Sequence, residues 1–233
     1  MLLKVEHIET YIEQYHILQG VSIVAKKGEV TVLLGRNGAG KTTTLRSIMG
    51  LNSAAKGKII FKEKEIQNLP TYEIAKLGIG YVPENQGIFA DLTVEENMKV
   101  AIRKQDGETM KRLDWILELF PDLKKFWKKA GGTLSGGQKQ MLSISRAFIG
   151  NNELMLIDEP SKGLAPIVVE SVMNAIQELK KEATIILVEQ NFMMASNIGD
   201  YFYIVDDGRT VLDGEMDLLK QDEILRKKYL GIA

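Results

Sequence analysis

A chain of 233 residues, 45% of them hydrophobic, can bury the core of one large domain or two small ones. Its 30 Lys and Arg nearly cancel its 31 Asp and Glu, leaving a net charge of −1, which argues against a general nucleic-acid binder. The absence of cysteine excludes disulfide frameworks and cysteine metal sites. The opening Met1-Leu2-Leu3-Lys4-Val5-Glu6 shows no signal-peptide pattern, and no apolar run approaches the roughly 18 residues of a spanning helix. The expectation is a soluble protein, or one held at a membrane by a partner.

In chain order, Leu3 to Ile8 alternates as a strand does, and Gly20 to Ala25 reads as a second strand. Lys27-Gly28-Glu29 turns into a short apolar strand, Val30 to Leu34, and Thr43 to Met49 reads as a helix. Gly57 to Phe61 is a further strand, Thr71 to Leu77 a short helix, and Gly78 to Pro83 a strand ended by proline. Helical patterning then takes over in Val94 to Ile102, Glu108 to Phe120 and Ser135 to Phe148. Strands return at Leu154 to Ile157 and Thr184 to Val188, on either side of a helix over Val168 to Lys180. Tyr201 to Val205, Asp206-Asp207-Gly208-Arg209 and Thr210 to Leu212 form a hairpin signal. Asp217 to Tyr229 reads as one charged amphipathic helix. Alternating strands and helices favour a mostly parallel sheet with a helical insertion near Gly87 to Gly150.

Between the third strand and the first helix lies Gly35-Arg36-Asn37-Gly38-Ala39-Gly40-Lys41-Thr42, a phosphate-binding loop pattern in its strand-loop-helix setting. The glycines let backbone N–H groups turn inward at phosphate oxygens, and the helix start adds its positive dipole end. Lys41 would sit on the β- and γ-phosphates and Thr42 would bind Mg²⁺. The strand Leu154 to Ile157 ends in Asp158-Glu159. Asp158 would hold Mg²⁺ through its water shell, and Glu159, facing another way, could polarise an attacking water. Leu134-Ser135-Gly136-Gly137-Gln138 opens another helix with Ser135 as N-cap, a second anion-binding helix start.

Leu134 to Gln138, with the phosphate loop before it and the apolar strand ending in Asp158-Glu159 shortly after, resembles the ATP-binding cassette (ABC) family over nearly the whole chain. The resemblance implies a single domain, 1–233, with an α/β P-loop NTPase fold: a mostly parallel sheet, an N-terminal antiparallel β part, a core lobe of 1–86 and 151–233, and a helical subdomain of about 87–150. It implies ATP and Mg²⁺ as cofactors. Arg36, Asn37, Gly38, Ala39, Gly40, Lys41, Thr42 and Thr43 would hold ATP, while Ser135, Gly136, Gly137 and Gln138 would close over the ATP of a partner cassette. Glu159 would be the general base. Ser161 to Pro166 takes the place of the loop that crosses the dimer interface. An aromatic residue near the N-terminus normally stacks on adenine; Tyr11 is the first candidate and Tyr15 the second.

Two positions depart from the family pattern. Glu84 stands after Val82-Pro83 where Gln is usual, and could meet Mg²⁺ or its waters. Gln190 stands where a switch His is usual; it can donate a hydrogen bond to a γ-phosphate but cannot titrate. The only histidines, His7 and His16, precede the phosphate loop. Val-Pro-Glu, Leu92 to Asn97, Leu187 to Asn191 and the ending Tyr229-Leu230-Gly231 resemble the second ATPase subunit of branched-chain amino-acid importers, the LivF type, with urea and short-amide importer ATPases as close relatives. That implies a homo- or heterodimer of ATPase subunits under two membrane permease subunits, served indirectly by an external solute-binding protein. It implies a peripheral site on the cytoplasmic membrane face and no nucleic acid. The alternatives are a soluble non-transport ABC ATPase, a weak or non-hydrolysing binding module suggested by Gln190 and Glu84, and an exporter ATPase. The basic, aromatic run Lys124 to Lys129 is read as a solvated helix end, Met193-Met194 as core filling, and the two histidines as ordinary surface or strand residues.

Overall fold

The structure, a computed structural model, describes residues 1–231. The chain runs β1 (Leu3–Ile12), β2 (Tyr15–Ala25), β3 (Val30–Leu34), α1 (Lys41–Ile48), β4 (Ala54–Phe61), β5 (Lys64–Glu65), α2 (Thr71–Lys76) and β6 (Ile79–Val82). Helices alone follow: α3 (Val94–Ala101), α4 (Gly107–Leu119), α5 (Pro121–Lys125), a 3₁₀ turn and α6 (Gly136–Phe148). Then come β7 (Leu154–Asp158), α7 (Pro166–Leu179), β8 (Thr184–Val188), α8 (Phe192–Ile198), β9 (Tyr201–Asp206), β10 (Arg209–Glu215) and α9 (Met216–Gln221).

The large sheet has the order β10-β9-β3-β8-β7-β6. Its strands from β9 to β6 are parallel, and β10 returns antiparallel through Asp207-Gly208. Strands β3, β7 and β8 are buried on both faces, which is why they read as unbroken apolar runs. A smaller antiparallel sheet, β2-β1-β4-β5, packs on one face. Alternation divides the two cores. Val32, Met155, Ile157, Ile185 and Leu187 face the helices, including Met98, Ile116 and Leu142 of the helical stretch. Leu33, Leu154, Leu156, Ile186 and Val188 face α1 and the smaller sheet.

Parallel register decides where the site forms. Leu33 and Asp158 both pair with Val188, so β3, β7 and β8 end at one edge. The loops that follow them meet there, as ligand-binding loops do at the carboxyl edge of an open α/β sheet.

Several elements differ from the sequence reading. The β1–β2 hairpin extends to Ile12 and Tyr15, because its exposed outer half, Tyr11 to Tyr15, lacks a buried face to betray it. Helices α5 and α8 have five and seven residues, too few for periodicity to show. The single helix expected over Asp217 to Tyr229 is broken at Asp222. That residue is extended (φ −98°, ψ 94°), and its carboxylate accepts the Leu225 N–H at 2.9 Å. A short acidic side chain that binds nearby backbone favours a fresh cap over helix continuation. Glu223–Leu225 and Arg226–Leu230 follow as separate turns.

Asn97 fastens the segment after β6 to the helices. It is fully buried on α3, accepts the Phe89 N–H at 2.9 Å and donates to the carbonyls of Phe89, Leu92 and Thr93. Asn97→Ala strips these buried partners and should cost about 1–3 kcal/mol. It should lower the urea midpoint without changing the slope; an unchanged midpoint would show that residues 89–93 are held by other contacts.

Candidate functional site

The loop Gly35 to Gly40 carries β3 into α1. Gly40 is the N-cap, with φ +104° and no side-chain cap, so the first amides of α1 remain free to bind an anion. A Cβ at Gly40 would stand 2.7 Å from Leu18, in a backbone conformation costly for other residues. Lys41 is 4% exposed, and its ammonium donates to the carbonyls of Gly35 (2.9 Å) and Arg36 (3.0 Å). Burial pushes this ammonium below its ordinary value, while Glu159, Asp158 and Glu189 pull the other way. It is thus a cation stretched across its own loop, surrounded by acids and ready for a phosphate.

The Thr42 hydroxyl donates to Asp158 Oδ1 at 3.0 Å, and the Tyr81 hydroxyl to Oδ2 at 3.4 Å. Asp158 is fully buried, and burial pushes its carboxyl up to about 6; the Thr42 bond opposes this, and Glu159 and Glu84 add to it. No cluster of three or more His, Asp or Glu with metal-binding geometry occurs among the described residues. Thr42 and Asp158 nevertheless supply adjacent hard oxygens. Mg²⁺ suits such a pair, because it commonly takes one or two protein oxygens and fills its shell with water and substrate phosphates.

Glu159 shares none of these hydrogen-bond partners. It is 8% exposed, in the left-handed region at φ +46°, and its N–H donates to Val188 O at 2.9 Å. A non-glycine residue held there marks a spot where the surroundings overrule backbone preference. Its Oε1 accepts the Gln190 amide at 2.5 Å, and its Oε2 lies 3.4 Å from Lys162. Lys162 also donates to Glu84 at 2.5 Å. These groups can align a water, take its proton and hold a phosphate nearby.

A cleft of about 260 Å³ lies over the loop, lined by Asn37, Gly38, Gly40, Lys41, Thr42, Thr43 and Glu159, with Ile12 and Ile17 as its apolar wall. Here the structure departs from the expected aromatic. Tyr11 does not line the cleft; its ring stacks on His16 at 4.2 Å and an 8° interplanar angle. Tyr15 is 61% exposed and also lies outside it. Ile8 and Thr10 point inward, so the two-residue period of β1 brings Ile12, not Tyr11, to the cleft side. Glu84 departs as well: its carboxylate is paired with Lys162 rather than grouped with Thr42 and Asp158.

Ser135 caps α6 in a reciprocal box. Its N–H reaches the Gln138 side chain at 3.0 Å, and its hydroxyl accepts the Gln138 N–H at 3.4 Å. Gly137 packs so closely that a Cβ would come within 2.3 Å of Val168. Ser135 and Gly136 are exposed, and none of the four residues from 135 to 138 lines the cleft of their own chain. Ile12, Ile17, Tyr81 and Glu189 stand at the site although their motifs gave them no role there. A period-two count would have found Ile12; no sequence signal marks Tyr81.

The ABC transporter family profile matches residues 18–162. The high-affinity branched-chain amino acid transport ATP-binding protein BraG of Pseudomonas aeruginosa is 39% identical over 99% of this chain and 100% of its own. The probable branched-chain amino acid transport ATP-binding protein LivF of Archaeoglobus fulgidus is 39% identical over 95% of each. Among solved structures, the ADP conformation of MJ1267, an ATP-binding cassette of an ABC transporter, superposes with a TM-score of 0.84 at 28% identity, covering 99% of this chain and 98% of that one.

A carboxyl whose folded value is raised contributes stability that is whole below its unfolded value, about pH 4, and is lost as pH rises through about 6. In the nucleotide-free protein with EDTA, Asp158→Asn should therefore gain stability over the parent at pH 7.5 and lose that advantage at pH 4. Parallel stability curves for the two proteins across this window would contradict the burial of an unfavourable charge at Asp158.

Proposed function

The chain belongs to the ABC transporter family, and we propose that it is the ATPase subunit powering an importer of branched-chain, hydrophobic amino acids. The observation that carries the mechanistic half is the meeting of Lys41, Thr42, Asp158 and Glu159 at one sheet edge. The solute class rests on full-length similarity to BraG and LivF.

In this reading the amides of Gly38 and of Gly40 to Thr43, with the Lys41 ammonium, hold the β- and γ-phosphates. Ile12 and Ile17 cover the adenine by apolar contact. Thr42 and Asp158 would hold Mg²⁺, which when bound neutralises charge on the phosphate oxygens. Glu159 accepts the proton of the attacking water. Gln190 keeps that carboxylate aimed, through a hydrogen bond from an amide that cannot itself titrate. Glu84 acts indirectly, by sharing Lys162 with Glu159.

Ser135 to Gln138, turned away from their own cleft, serve the ATP of a second cassette in a homo- or heterodimer. The chain comprises a core lobe, 1–86 and 151–233, and a helical lobe, about 87–150. No described helix is long and apolar enough to cross a membrane. The chain works instead at the cytoplasmic face beneath two permease subunits, with an external binding protein delivering solute.

Replacing the general base gives the decisive test. Glu159→Gln should reduce ATP turnover by about 10²–10⁴-fold and abolish leucine uptake by the assembled transporter. ATP affinity should stay within about threefold, since the phosphate-binding groups are untouched. Turnover within threefold of the parent would remove Glu159 from the role, and leucine uptake at the parent rate would remove the transport assignment.

A further inference from the structure

Glu189 leaves the end of β8 with 1% of its surface exposed, and the chemistry above makes no use of it. Four donors converge on its carboxylate. Oε1 accepts the Ser161 N–H at 2.9 Å; Oε2 accepts the Ser161 hydroxyl at 2.9 Å and the N–H groups of Gln190 and Asn191 at 3.0 Å each. Burial pushes this carboxyl above its ordinary value, and the bonds from Ser161, Asn191 and Gln190 oppose that push. Every partner is a donor, so the acceptor-only carboxylate fits the site better than any neutral side chain. A buried charge is tolerated only where its surroundings satisfy it to this degree.

The donors have a particular origin. Ser161 lies two residues beyond Glu159. Val188 and Gln190, which flank Glu189, both hold Glu159: Val188 through its carbonyl, Gln190 through its side-chain amide. Glu189 therefore sits at the centre of a knot joining Glu159–Ser161 to Val188–Asn191. Asn191 continues the knot into α8, where its side chain accepts the Met194 N–H at 3.2 Å.

We propose that Glu189 is a positioning residue for hydrolysis: its buried carboxylate clamps the loop after β7 to the loop after β8, so that the Gln190 amide meets Glu159 with that base aimed at its water. The clamp also accounts for the left-handed backbone of Glu159, which persists because both sides of it are tied down. The proposal rests on Glu159 as the base, and its test keeps the two separable.

Glu189→Gln is isosteric but places an NH₂ among four donors, opening part of the knot while leaving Lys41, Thr42 and Asp158 in place. In the assembled transporter kcat should fall roughly 10–100-fold, the cost of a misplaced reacting group, with KM for ATP within about threefold. In the nucleotide-free protein, the amides of Ser161, Gln190 and Asn191 should exchange deuterium at least about tenfold faster, while those within β7 and β8 keep their parent rates. Ser161→Ala removes one of the four donors and no backbone group, so it carries the test should Glu189→Gln fail to fold. It should lower kcat several-fold, and adding it to Glu189→Gln should cost less than its separate effect. A Glu189→Gln protein with parent kcat, or one whose KM and strand protection collapse along with kcat, overturns the clamp. Glu159→Gln is assayed beside it. Its loss of turnover with Glu189→Gln unaffected rejects the clamp alone; parent turnover in Glu159→Gln rejects the base and the clamp together.

Discussion

The hydrogen bond from the Thr42 hydroxyl to the Asp158 carboxylate joins groups 116 positions apart in the chain. It fixes the start of α1 against the end of β7, and with it the distance between phosphate loop and acidic pair. The bond exists because β3, β8 and β7 run parallel in a register that ends them at one edge. Apolar residues on both faces of those strands lock that register, since a one-residue slip would exchange the two cores. The site's geometry is therefore set by burial in the sheet, and the loops bring chemistry to positions already determined.

Charge is the second organising constraint. Glu84, Asp158, Glu159 and Glu189 gather around Lys41 and Lys162, leaving the site acidic before any phosphate enters it. That excess adds to the burial that raises the Asp158 carboxyl, and it gives Lys162 two carboxylate partners. A polyphosphate sharpens the imbalance, so a divalent cation entering with the nucleotide relieves both the ligand and the protein. Gln190 suits this setting. A neutral amide keeps Glu159 oriented without adding a group whose charge changes near neutral pH.

Much of this was legible in the sequence because the relevant signals are local. The apolar runs at Val30–Leu34, Leu154–Asp158 and Thr184–Val188 are strands because they are buried on two faces, and the loop and acidic pair abut them directly. Ser135 before Gly136-Gly137-Gln138 announces a capped helix by spacing alone. What stayed hidden depends on contacts across long separations or on small local competitions. Tyr11 is an attractive aromatic, but strand alternation turns Ile12 to the cleft instead. Lys162 and Glu84 find each other across 78 positions, which no short pattern encodes. Glu189 looks like an ordinary acid after a strand until two loops fold over it. The break at Asp222 turns on one side chain capping the next turn rather than continuing the helix.

The metal–nucleotide centre is the claim on which the account stands, and Mn²⁺ in place of Mg²⁺ reads it directly. Electron paramagnetic resonance would count Mn²⁺ bound to the purified chain with a non-hydrolysable ATP analogue, for the parent and for Thr42→Val and Asp158→Asn. The parent should bind one Mn²⁺ per bound nucleotide. Each variant should lose roughly 10–100-fold in Mn²⁺ affinity, the worth of one bond to a charged group, while metal-free nucleotide binding persists. Equal Mn²⁺ affinity in all three proteins would contradict it, because the two oxygens that meet in the structure would then have no part in holding the ion.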